Sequence, residues 1–492
     1  MARTKPTART APPRHIERAA PKSKVIIKTT DFSNVQPKIK TKPLPYQERC
    51  VEMLDRFGGR ALIADEMGLG KSFESLLWAV RHRHFPILII CPASVKSNWQ
   101  RECIKHFGIR AEVLEGTKPR RGWTPVRPVT IINYDILKPW KVYLRRMRPQ
   151  VVILDECHFA KNRSAARTRN TESICRSSPH VLALSGTPIE NNPIEFYPIL
   201  NILQKNLFDG GFQGFAHRYC KPERKPWGWT FTGASRMPEL NRILRDNVMI
   251  RRLKKDVLKD LPPKSRFIHL INGDPKLIRE YKKAEKDFLV WLEEHAGSVV
   301  ARRASRAEQV TKTLHLKRLA GESKLKGVLE WADAFLETGQ KLVLFAHHKK
   351  TLELLKAHFK EKCVLVNGSV RGSKRQEAVD KFQNNPKCTV FLGNLRAAGV
   401  GITLTAASTL GFVELGWTPG EMVQAEDRIH RISQLFPASI FYFLAADTIE
   451  VKICRILQKK QKMLESALDG KGNGDRLSVF DSFIKGLVKA PE

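Results

Sequence analysis

The chain has 492 residues, 42% of them apolar, which is enough for roughly three domains with buried cores. Lysine and arginine number 86 against 49 acidic residues, a formal net charge of +37. Such an excess favours an anionic partner, nucleic acid first and an acidic membrane surface second, because like charges repel in the compact state. The membrane alternative lacks support, since no apolar run approaches the ~20 residues of a spanning helix.

Nine cysteines are scattered along the chain without a C-x-x-C pair. This spacing argues against zinc knuckles and disulfide frameworks and favours a reducing compartment. The basic, proline-rich start does not have the pattern of a signal peptide. We therefore expect an intracellular protein, nuclear if the source is eukaryotic and cytoplasmic or nucleoid-bound if it is bacterial or phage-encoded.

Residues 1–43 carry eleven Lys and Arg against two acids, with many prolines and little apolar periodicity. This composition predicts a disordered basic tail. Within it, ARTKPTAR (2–9) resembles the core-histone tail A-R-T-K-Q-T-A-R at seven of eight positions. The resemblance implies that Lys5 is presented to readers of histone tails. A chance match in a basic tail of low information is the alternative.

Two series of short apolar runs follow, one within 44–192 and one within 321–468. Continuous apolar runs of this length are typical of strands buried on both faces of a parallel sheet. The stretches between them suit helices, so each series predicts an α/β lobe. The runs are RALIA (60–64), PILIICP (86–92), VTIINY (129–134), VVILDE (151–156), VLALSG (181–186), KLVLFAH (341–347), CVLVNG (363–368), CTVFLG (388–393), TLGFVEL (409–415) and SIFYFLA (439–445).

Between the two series, over 193–320, strand signals nearly vanish, and the pattern predicts a basic helical insertion and linker. Residues 469–492 begin with a Gly-rich break, DGKGNGD (469–475), before a short amphipathic tail. The apolar positions of that tail are Leu477, Phe480, Phe483, Ile484, Leu487 and Val488. We expect this tail to pack back on a lobe as a helix, with partner binding as the alternative.

The segment ADEMGLGKS (64–72) lies between a predicted strand and a predicted helix. It fits G-x-x-x-x-G-K-[ST], except that Asp65 stands where the first glycine is expected. A glycine-rich turn before a helix directs backbone N–H groups and the helix dipole at phosphates. Lys71 would then reach the β- and γ-phosphates, and the Ser72 hydroxyl would hold Mg²⁺. A chance G-x-G-K-S in a turn is the alternative.

The run VVILDE ends on Asp155 and Glu156, at the carboxyl end of a predicted strand, where α/β folds place their ligand sites. Adjacent carboxylates can divide the work of phosphoryl transfer. Asp155 would hold Mg²⁺, and Glu156 would polarise the attacking water. A solvated acidic strand end is the alternative.

Arg428 and Arg431 stand three residues apart in QAEDRIHRISQ (424–434), so on a helix they share a face. An arginine that reaches a γ-phosphate from another lobe is worth ~10³–10⁵ in rate. A solvated basic helix face is the alternative for these two side chains.

These segments together resemble the ordered motifs of a Swi/Snf-type ATPase of helicase superfamily two, from about residue 44 to 470. DEMGLGKS is that family's own form of the phosphate loop, so Asp65 identifies the family. LGWTPGEMVQAEDRIHRISQ (415–434) is similar to the compact subgroup that includes annealing helicases and fork remodellers. The other motifs are LPYQ (44–47), LIICPASVKSNW (88–99), INYDIL (132–137), LSGTPIENNP (184–193), IRRLKKDVLKDLPPK (250–264), NGSVRGSKRQEAVDKF (367–382) and LRAAGVGITLTAAS (395–408).

The resemblance implies two RecA-like, doubly wound parallel-sheet lobes with a helical insertion between them. It also implies an ATP site in the cleft between the lobes, with Mg²⁺ held by Ser72 and Asp155. The implied ATP-binding residues are Gln47, Asp65, Gly68, Gly70, Lys71, Ser72 and Gln424. The implied catalytic residues are Lys71, Asp155, Glu156, Arg428 and Arg431.

The resemblance further implies ATP-driven translocation along duplex or forked DNA, by a motor that we expect to be monomeric. Contacts to phosphates do not read sequence, so no strong sequence preference is expected. The DNA contacts carried over from the motifs are Ser94, Lys96, Thr187, Gly399 and Gly401. The basic residues of 250–264 are expected to face DNA or, alternatively, solvent or the other lobe. Protein partners are expected to bind through the tails.

Two other functions stay open at this point. One is a strand-separating helicase of the same superfamily, which the segment 250–264 and the insertion disfavour. The other is a DNA- or chromatin-binding adaptor with a vestigial ATPase, which is disfavoured because no catalytic position of the motifs is missing.

Overall fold

The computed structural model describes residues 30–189, 191–226, 228–294, 313–370, 373–398, 401–470 and 479–480. Two parallel sheets dominate the described part of the chain, one in each lobe. The strands are β1 Arg60–Ile63, β2 Ile87–Cys91, β3 Ala111–Val113, β4 Val129–Asn133, β5 Val151–Asp155, β6 His180–Leu184, β7 Glu223–Lys225, β8 Gly228–Thr230, β9 Met249–Ile250, β10 Lys264–Ile271, β11 Leu342–Ala346, β12 Cys363–Val366, β13 Val390–Asn394, β14 Thr409–Phe412 and β15 Ala438–Ala445.

Helices cover both faces of the two sheets and form most of the insertion. They are α1 Pro45–Arg56, α2 Lys71–Arg81, α3 Lys96–Phe107, α4 Leu137–Arg146, α5 Ala166–Cys175, α6 Tyr197–Leu203, α7 Gly211–Tyr219, α8 Met237–Asn247, α9 Lys254–Val257, α10 Pro275–Glu294, α11 over 313–323, α12 Leu325–Leu336, α13 Lys349–Phe359, α14 Ser373–Asn384, α15 Leu395–Ala398, α16 Pro419–Glu426 and α17 Ile449–Asp469.

The first sheet has the strand order β3-β4-β2-β5-β6-β1-β9 among the described residues, with every neighbouring pair parallel. Its central strands β2 and β4 are buried along their whole length, and separate apolar clusters cover the two faces of the sheet. Helices on both faces require strands that are apolar on both sides, which explains their continuous apolar runs.

The second sheet has the order β10-β15-β14-β11-β13-β12 in the described part of lobe two, again parallel throughout. Two further apolar clusters lie on its two faces. The prediction of an α/β fold with two doubly wound lobes is therefore confirmed. The domain boundaries at 192, 320 and 468 stay predictions.

The structure differs from the sequence prediction within 193–320, where two strands join the lobe sheets. Strand β9 pairs with β1 of lobe one, and β10 pairs with β15 of lobe two over eight residues. Strand β10 lies at a sheet edge, and its residues largely alternate between exposed and partly buried. Such a strand has no continuous apolar run, which is why the search for runs missed it.

Helix α17 connects the two lobes at the end of the described chain. Leu457 packs in the core of lobe two, whereas Leu464 and Leu468 pack in the core of lobe one. The Asn241 side-chain amide donates to the Ala467 carbonyl at 3.0 Å. The helix therefore fixes the insertion against both lobes.

The two tails are described only in part. Residues 30–43 do not follow the prediction of disorder, since Lys38 and Lys40 donate backbone hydrogen bonds to the carbonyls of Phe107 and His106. The histone-like segment 2–9 lies outside the described residues. In the C-terminal tail, Phe480 is buried against Tyr442 of lobe two, as the packing prediction expects, and the apolar positions other than Phe480 lie outside the described residues.

The cysteines show no disulfide or metal cluster in the part of the chain that the structure describes. All nine are free and buried, and no group of three or more His, Cys, Asp or Glu is placed to hold a metal. Among the described helices, none combines the length and apolar character that crossing a membrane requires.

Candidate active site between the lobes

The phosphate-loop segment connects β1 to α2 and ends on two glycines with left-handed backbone. Gly68 has φ of +88° and Gly70 has φ of +89°, a region that residues with a Cβ rarely adopt. A Cβ on Gly70 would also lie 2.7 Å from Nε2 of Gln47, so the turn packs directly on α1. The glycines thus allow α2 to begin at Lys71 with its first N–H groups facing the cleft.

Lys71 lies at the base of this turn and is held by the turn itself. Its Nζ donates to the backbone carbonyls of Asp65 at 2.8 Å and Glu66 at 3.3 Å. Removal from solvent lowers the pKa of Lys71, while the charges of Asp65 and Glu156 oppose that shift. The ammonium is therefore positioned before any anion binds.

The Asp65 side chain does not line the cleft, contrary to its placement among the predicted ATP-binding residues. Its carboxylate is fully buried, and Oδ1 accepts a hydrogen bond from the Arg252 backbone N–H at 2.8 Å. Oδ2 accepts from Nε of Arg252 at 2.9 Å, and that guanidinium also contacts Glu74. The aspartate of this loop therefore anchors the segment after β9, a partner that the spacing of the motif does not reveal.

Asp155 and Glu156 stand at the carboxyl end of β5, as predicted. The Trp99 indole donates to Oδ2 of Asp155 at 2.7 Å, and the Glu156 N–H donates to Oδ1 at 3.0 Å. Burial, and then the charge of Glu156, raises the pKa of Asp155 to about 7. The charge of Lys71 opposes this shift, and a cation bound at the two acids would oppose it further.

Glu156 faces the second lobe. Its Oε1 accepts a hydrogen bond from Nε2 of Gln424 at 2.6 Å, across the cleft. Its Oε2 lies 3.4 Å from Nδ1 of His158 and makes no hydrogen bond among the described residues. A buried acceptor without a donor is costly, so a water or a ligand donor is expected at this oxygen.

Arg428 and Arg431 lie in the turns that follow α16, and not on one continuous helix as predicted. Nε of Arg428 donates to the Gln424 carbonyl at 3.0 Å, and Nη1 of Arg431 donates to Oγ1 of Thr403 at 2.7 Å. Burial, and then the charge of Arg431, lowers the pKa of Arg428 to about 9. The turns still bring both guanidinium groups into the cleft.

A cleft of about 360 Å³ separates the two lobes and receives side chains from both. A Cβ on Gly68 would lie 3.6 Å from Cγ of Arg431, which shows how closely the phosphate loop approaches lobe two. The predicted residues that line the cleft are Gly68, Gly70, Lys71, Ser72, Asp155, Glu156, Gly401, Arg428 and Arg431. Gln47 lies behind Gly70, and Gln424 contacts Glu156.

Comparison with known families shows to which family the chain belongs. The family model described as SNF2-related domain matches residues 46–325, more than half of the chain. The chain belongs to the SNF2-related family. The model described as helicase conserved C-terminal domain matches residues 324–433, which lie in lobe two.

Two curated relatives illustrate the similarity of this SNF2-related chain to longer proteins. It is 32% identical over 447 residues to the SWI/SNF-related matrix-associated actin-dependent regulator of chromatin subfamily A-like protein 1 of Xenopus tropicalis, covering 90% of this chain and 46% of that protein. It is 31% identical over 459 residues to the DNA annealing helicase and endonuclease ZRANB3 of Mus musculus, covering 90% and 42%. The chain thus spans about half the length of these relatives.

A solved structure also resembles the SNF2-related chain. It is the Sulfolobus solfataricus SWI2/SNF2 ATPase core in complex with dsDNA, with a TM-score of 0.43 and 22% identity, covering 94% of this chain and 100% of that one. The fold assignment rests on the two parallel sheets themselves.

Two basic residues of the segment after β9 in the SNF2-related chain, Arg251 and Lys254, are buried against protein. Arg251 donates to the Ala64 carbonyl at 2.6 Å, and its Nε lies 2.8 Å from Asp469. Nζ of Lys254 donates to Asp427 of lobe two at 2.8 Å. Of the alternatives that the sequence left open, contact with lobe two therefore holds for Lys254, whereas Arg251 contacts lobe one and the end of α17.

A second groove of about 460 Å³ lies between the lobes of the SNF2-related chain and contains two of the predicted DNA contacts, Ser94 and Gly401. Nζ of Lys96 instead donates to the Leu114 carbonyl at 3.0 Å, and Thr187 packs against Gly420. Gly399 lies outside the described residues. Arginines that the sequence did not single out also line the groove: Arg101, Arg375 and Arg396.

Proposed function

We propose that this chain is an ATP-dependent translocase on double-stranded DNA that remodels or anneals DNA structures and hydrolyses ATP in the cleft between its lobes. The observation that carries the proposal is the convergence of Lys71, Asp155 and Glu156 of lobe one with Arg428 and Arg431 of lobe two on one cleft. Phosphoryl transfer depends on positioning and charge neutralisation, which this set of groups supplies.

Each group has a role that follows from its position. The N–H groups at the start of α2 and the Lys71 ammonium would bind the phosphates of ATP. Glu156, with its unbonded Oε2, would orient the attacking water. Arg428 and Arg431 would neutralise the charge that develops on the γ-phosphate.

Mg²⁺ fits this site. Ser72 and Asp155 both line the cleft, and their hydroxyl and carboxylate oxygens are ligands that Mg²⁺ accepts. A protein usually gives Mg²⁺ only one or two oxygen ligands, and phosphates and waters complete the octahedron. We propose that Ser72 and Asp155 hold the ion, which would supply charge neutralisation at the bridging phosphate oxygens.

The groove that contains Ser94 and Gly401 is the proposed DNA path. It holds three arginines and hydroxyl and backbone groups from both lobes, which suit phosphates and not base edges. About six neutralised phosphates would reduce affinity by ~10³ between 50 and 200 mM salt. Since Nη2 of Arg101 donates to Gln376 of lobe two at 2.7 Å, movement of the lobes would change this groove.

The relatives support a function in DNA-structure remodelling, because one of them carries the name DNA annealing helicase and endonuclease. We propose that the chain acts as a monomeric motor with protein partners bound through its tails, and that it works in the nucleus, since the name of the Xenopus tropicalis relative describes a regulator of chromatin. Strand separation and a vestigial ATPase are the competing functions.

The test is the rate of ATP hydrolysis with no nucleic acid, single-stranded DNA, blunt duplex and a model fork, at matched phosphate concentration. We expect duplex or fork to stimulate well above single strand, with a maximum on the fork if the protein remodels or anneals. Stimulation by single strands alone would favour a strand-separating helicase. No stimulation by any DNA would favour the vestigial adaptor.

A further inference from the structure

A β-hairpin projects from the helical insertion on lobe one. Strands β7 and β8 pair antiparallel, with Arg224 opposite Trp229. The described residues from 221 to 229, except for partly buried Pro222, are exposed, so the hairpin forms no part of the lobe core. Neither the ATP cleft nor the DNA groove uses it.

Trp229 is 54% exposed on this hairpin, and no other tryptophan whose burial the structure describes is exposed. Its ring contacts His217 edge-on at 5.3 Å between centroids, and His217 contacts Phe231 at 5.5 Å. Phe231 in turn lies 6.5 Å from Phe212. A row of rings thus runs from the insertion to Trp229, which holds the indole in place while more than half of its surface stays exposed.

The hairpin is strongly basic around this ring. From 218 to 236 the chain has five Lys and Arg, and its one acid, Glu223, pairs with Lys225 at 3.0 Å. Lys221 and Arg224 are exposed and make no ion pair among the described residues. Positive charge beside an open aromatic face complements a phosphate next to an unstacked base.

The base of the hairpin is fixed and lies next to the segment 184–193 of lobe one. The Ser235 hydroxyl donates to the Arg218 carbonyl at 2.7 Å. The Asn192 side-chain amide donates to the Thr232 carbonyl at 2.7 Å. Asn192 belongs to LSGTPIENNP, the segment that follows β6, so the base of the hairpin is held against lobe one.

We propose that the β7–β8 hairpin is a junction-binding element, in which Trp229 stacks on an unpaired base of forked DNA while Lys221 and Arg224 contact the adjoining phosphates. This inference rests on the proposed function and names its substrate class, a duplex with unpaired bases. A blunt duplex keeps its bases paired and offers no unpaired base, so the hairpin would distinguish the two.

The test is a binding assay without ATP, using two DNAs of equal phosphate count. One is a fork with 2-aminopurine at the first unpaired position, and the other is a blunt duplex with 2-aminopurine at its centre. The variants are Trp229→Ala, Trp229→Phe and the control Phe267→Ala, which removes a 44% exposed ring from β10 of lobe two. Thermal unfolding verifies that each variant folds.

Stacking of one base on an aromatic ring is worth enough that its loss should weaken fork binding about five- to tenfold. We expect this loss in Trp229→Ala, with blunt-duplex affinity changed less than twofold and no quenching of 2-aminopurine. Trp229→Phe and Phe267→Ala should keep both fork affinity and quenching.

Three results would overturn the inference. One is a Trp229→Ala protein with wild-type fork affinity and quenching, which would mean that the exposed ring does not bind DNA and is available to a protein partner. Another is an equal loss on both DNAs. The third is a wild-type protein that binds neither DNA, which would also remove the proposed function. If the binding pattern holds but no DNA stimulates ATP hydrolysis, the proposed function fails and the hairpin site stands.

Discussion

The two walls of the ATP cleft are built differently. Lobe one presents its carboxylates and Lys71 at the carboxyl ends of strands and the start of a helix. Lobe two presents Arg428 and Arg431 on turns, where backbone carbonyls and one hydroxyl hold the guanidinium groups. One wall is rigid and contains adjacent acids, whereas the other is irregular and basic.

Each wall is electrostatically incomplete without the other. Burial raises the pKa of Asp155 on one side and lowers the pKa of Arg428 on the other, so each wall disfavours its own charges. The hydrogen bond between Gln424 and Glu156 already links the two. From this difference we expect lobe one to bind phosphates by itself and turnover to require lobe two.

Removal of the basic wall should have the largest effect. We expect Arg431→Ala to reduce ATP turnover by ~10³ or more, because the charge that develops on the γ-phosphate loses its partner from lobe two. DNA affinity should be unchanged. The measurement is steady-state ATP hydrolysis with saturating duplex, and Arg455→Ala, on an exposed part of α17, is the matched control. Wild-type turnover in Arg431→Ala would remove this residue from the mechanism.

Neutralisation of the acidic wall should have the next largest effect. Glu156→Gln keeps the shape of the side chain and removes its ability to polarise water, so we expect turnover to fall ~10²–10⁴-fold. ATP binding should persist, as measured by equilibrium titration with a fluorescent ATP analogue. Glu361→Gln, on the surface of lobe two, provides the comparison. Equal losses of binding and turnover would contradict a role confined to the chemical step.

The sequence predicted the acidic wall better than the basic one. Strand ends, a Gly-rich turn and adjacent carboxylates are local features, so Lys71, Asp155 and Glu156 were placed by pattern alone. Arg428 and Arg431 were identified, but as one helix face, because nothing local shows that α16 ends at Glu426. The tertiary ion pairs of Glu426 and Asp427 with Lys264 support the turns there.

Long-range partners account for the remaining differences from the sequence prediction. The sequence predicts that Asp65 belongs to the phosphate loop, but it does not reveal the ion-pair partner Arg252, which is 187 residues away. The strand β10 is missed because an edge strand alternates in polarity. Local sequence does not separate the exposed Trp229 from buried tryptophans, since the buried Trp99 also lies between polar residues, Asn98 and Gln100.

The ion pair between Lys254 and Asp427 tests whether the walls are coupled through the insertion. Lys254 donates its backbone N–H to Glu66 of lobe one at 2.8 Å and its ammonium to Asp427 of lobe two. We expect Lys254→Met to lower the free energy of unfolding by about 3 kcal/mol, since a buried acid loses one partner while Lys264 remains.

Urea unfolding followed by circular dichroism measures this change. Lys255→Met is the control, because Lys255 is exposed and adjacent in sequence. Equal stability of the two variants would mean that Lys254 does not couple the lobes.

The smallest expected effect concerns the pH dependence of the stability that Asp155 contributes to the acidic wall. The pKa of Asp155 is raised from 3.8 to about 7, so the folded protein binds more protons than the unfolded chain between those values. Stability contributed by this group therefore falls as pH rises from about 4 to about 7 and is constant above.

We expect the decrease in Tm between pH 5 and pH 8, in the absence of Mg²⁺ and nucleotide, to be smaller in Asp155→Asn than in the wild type. The difference should correspond to about 1 kcal/mol, or about 1 °C for a chain of this length. Asp135→Asn, at an exposed carboxylate, should keep the wild-type pH dependence. If Asp155→Asn also keeps the wild-type pH dependence, burial and the charge of Glu156 do not raise the pKa of Asp155 as the structure indicates. The two walls would then differ less in electrostatics than in geometry.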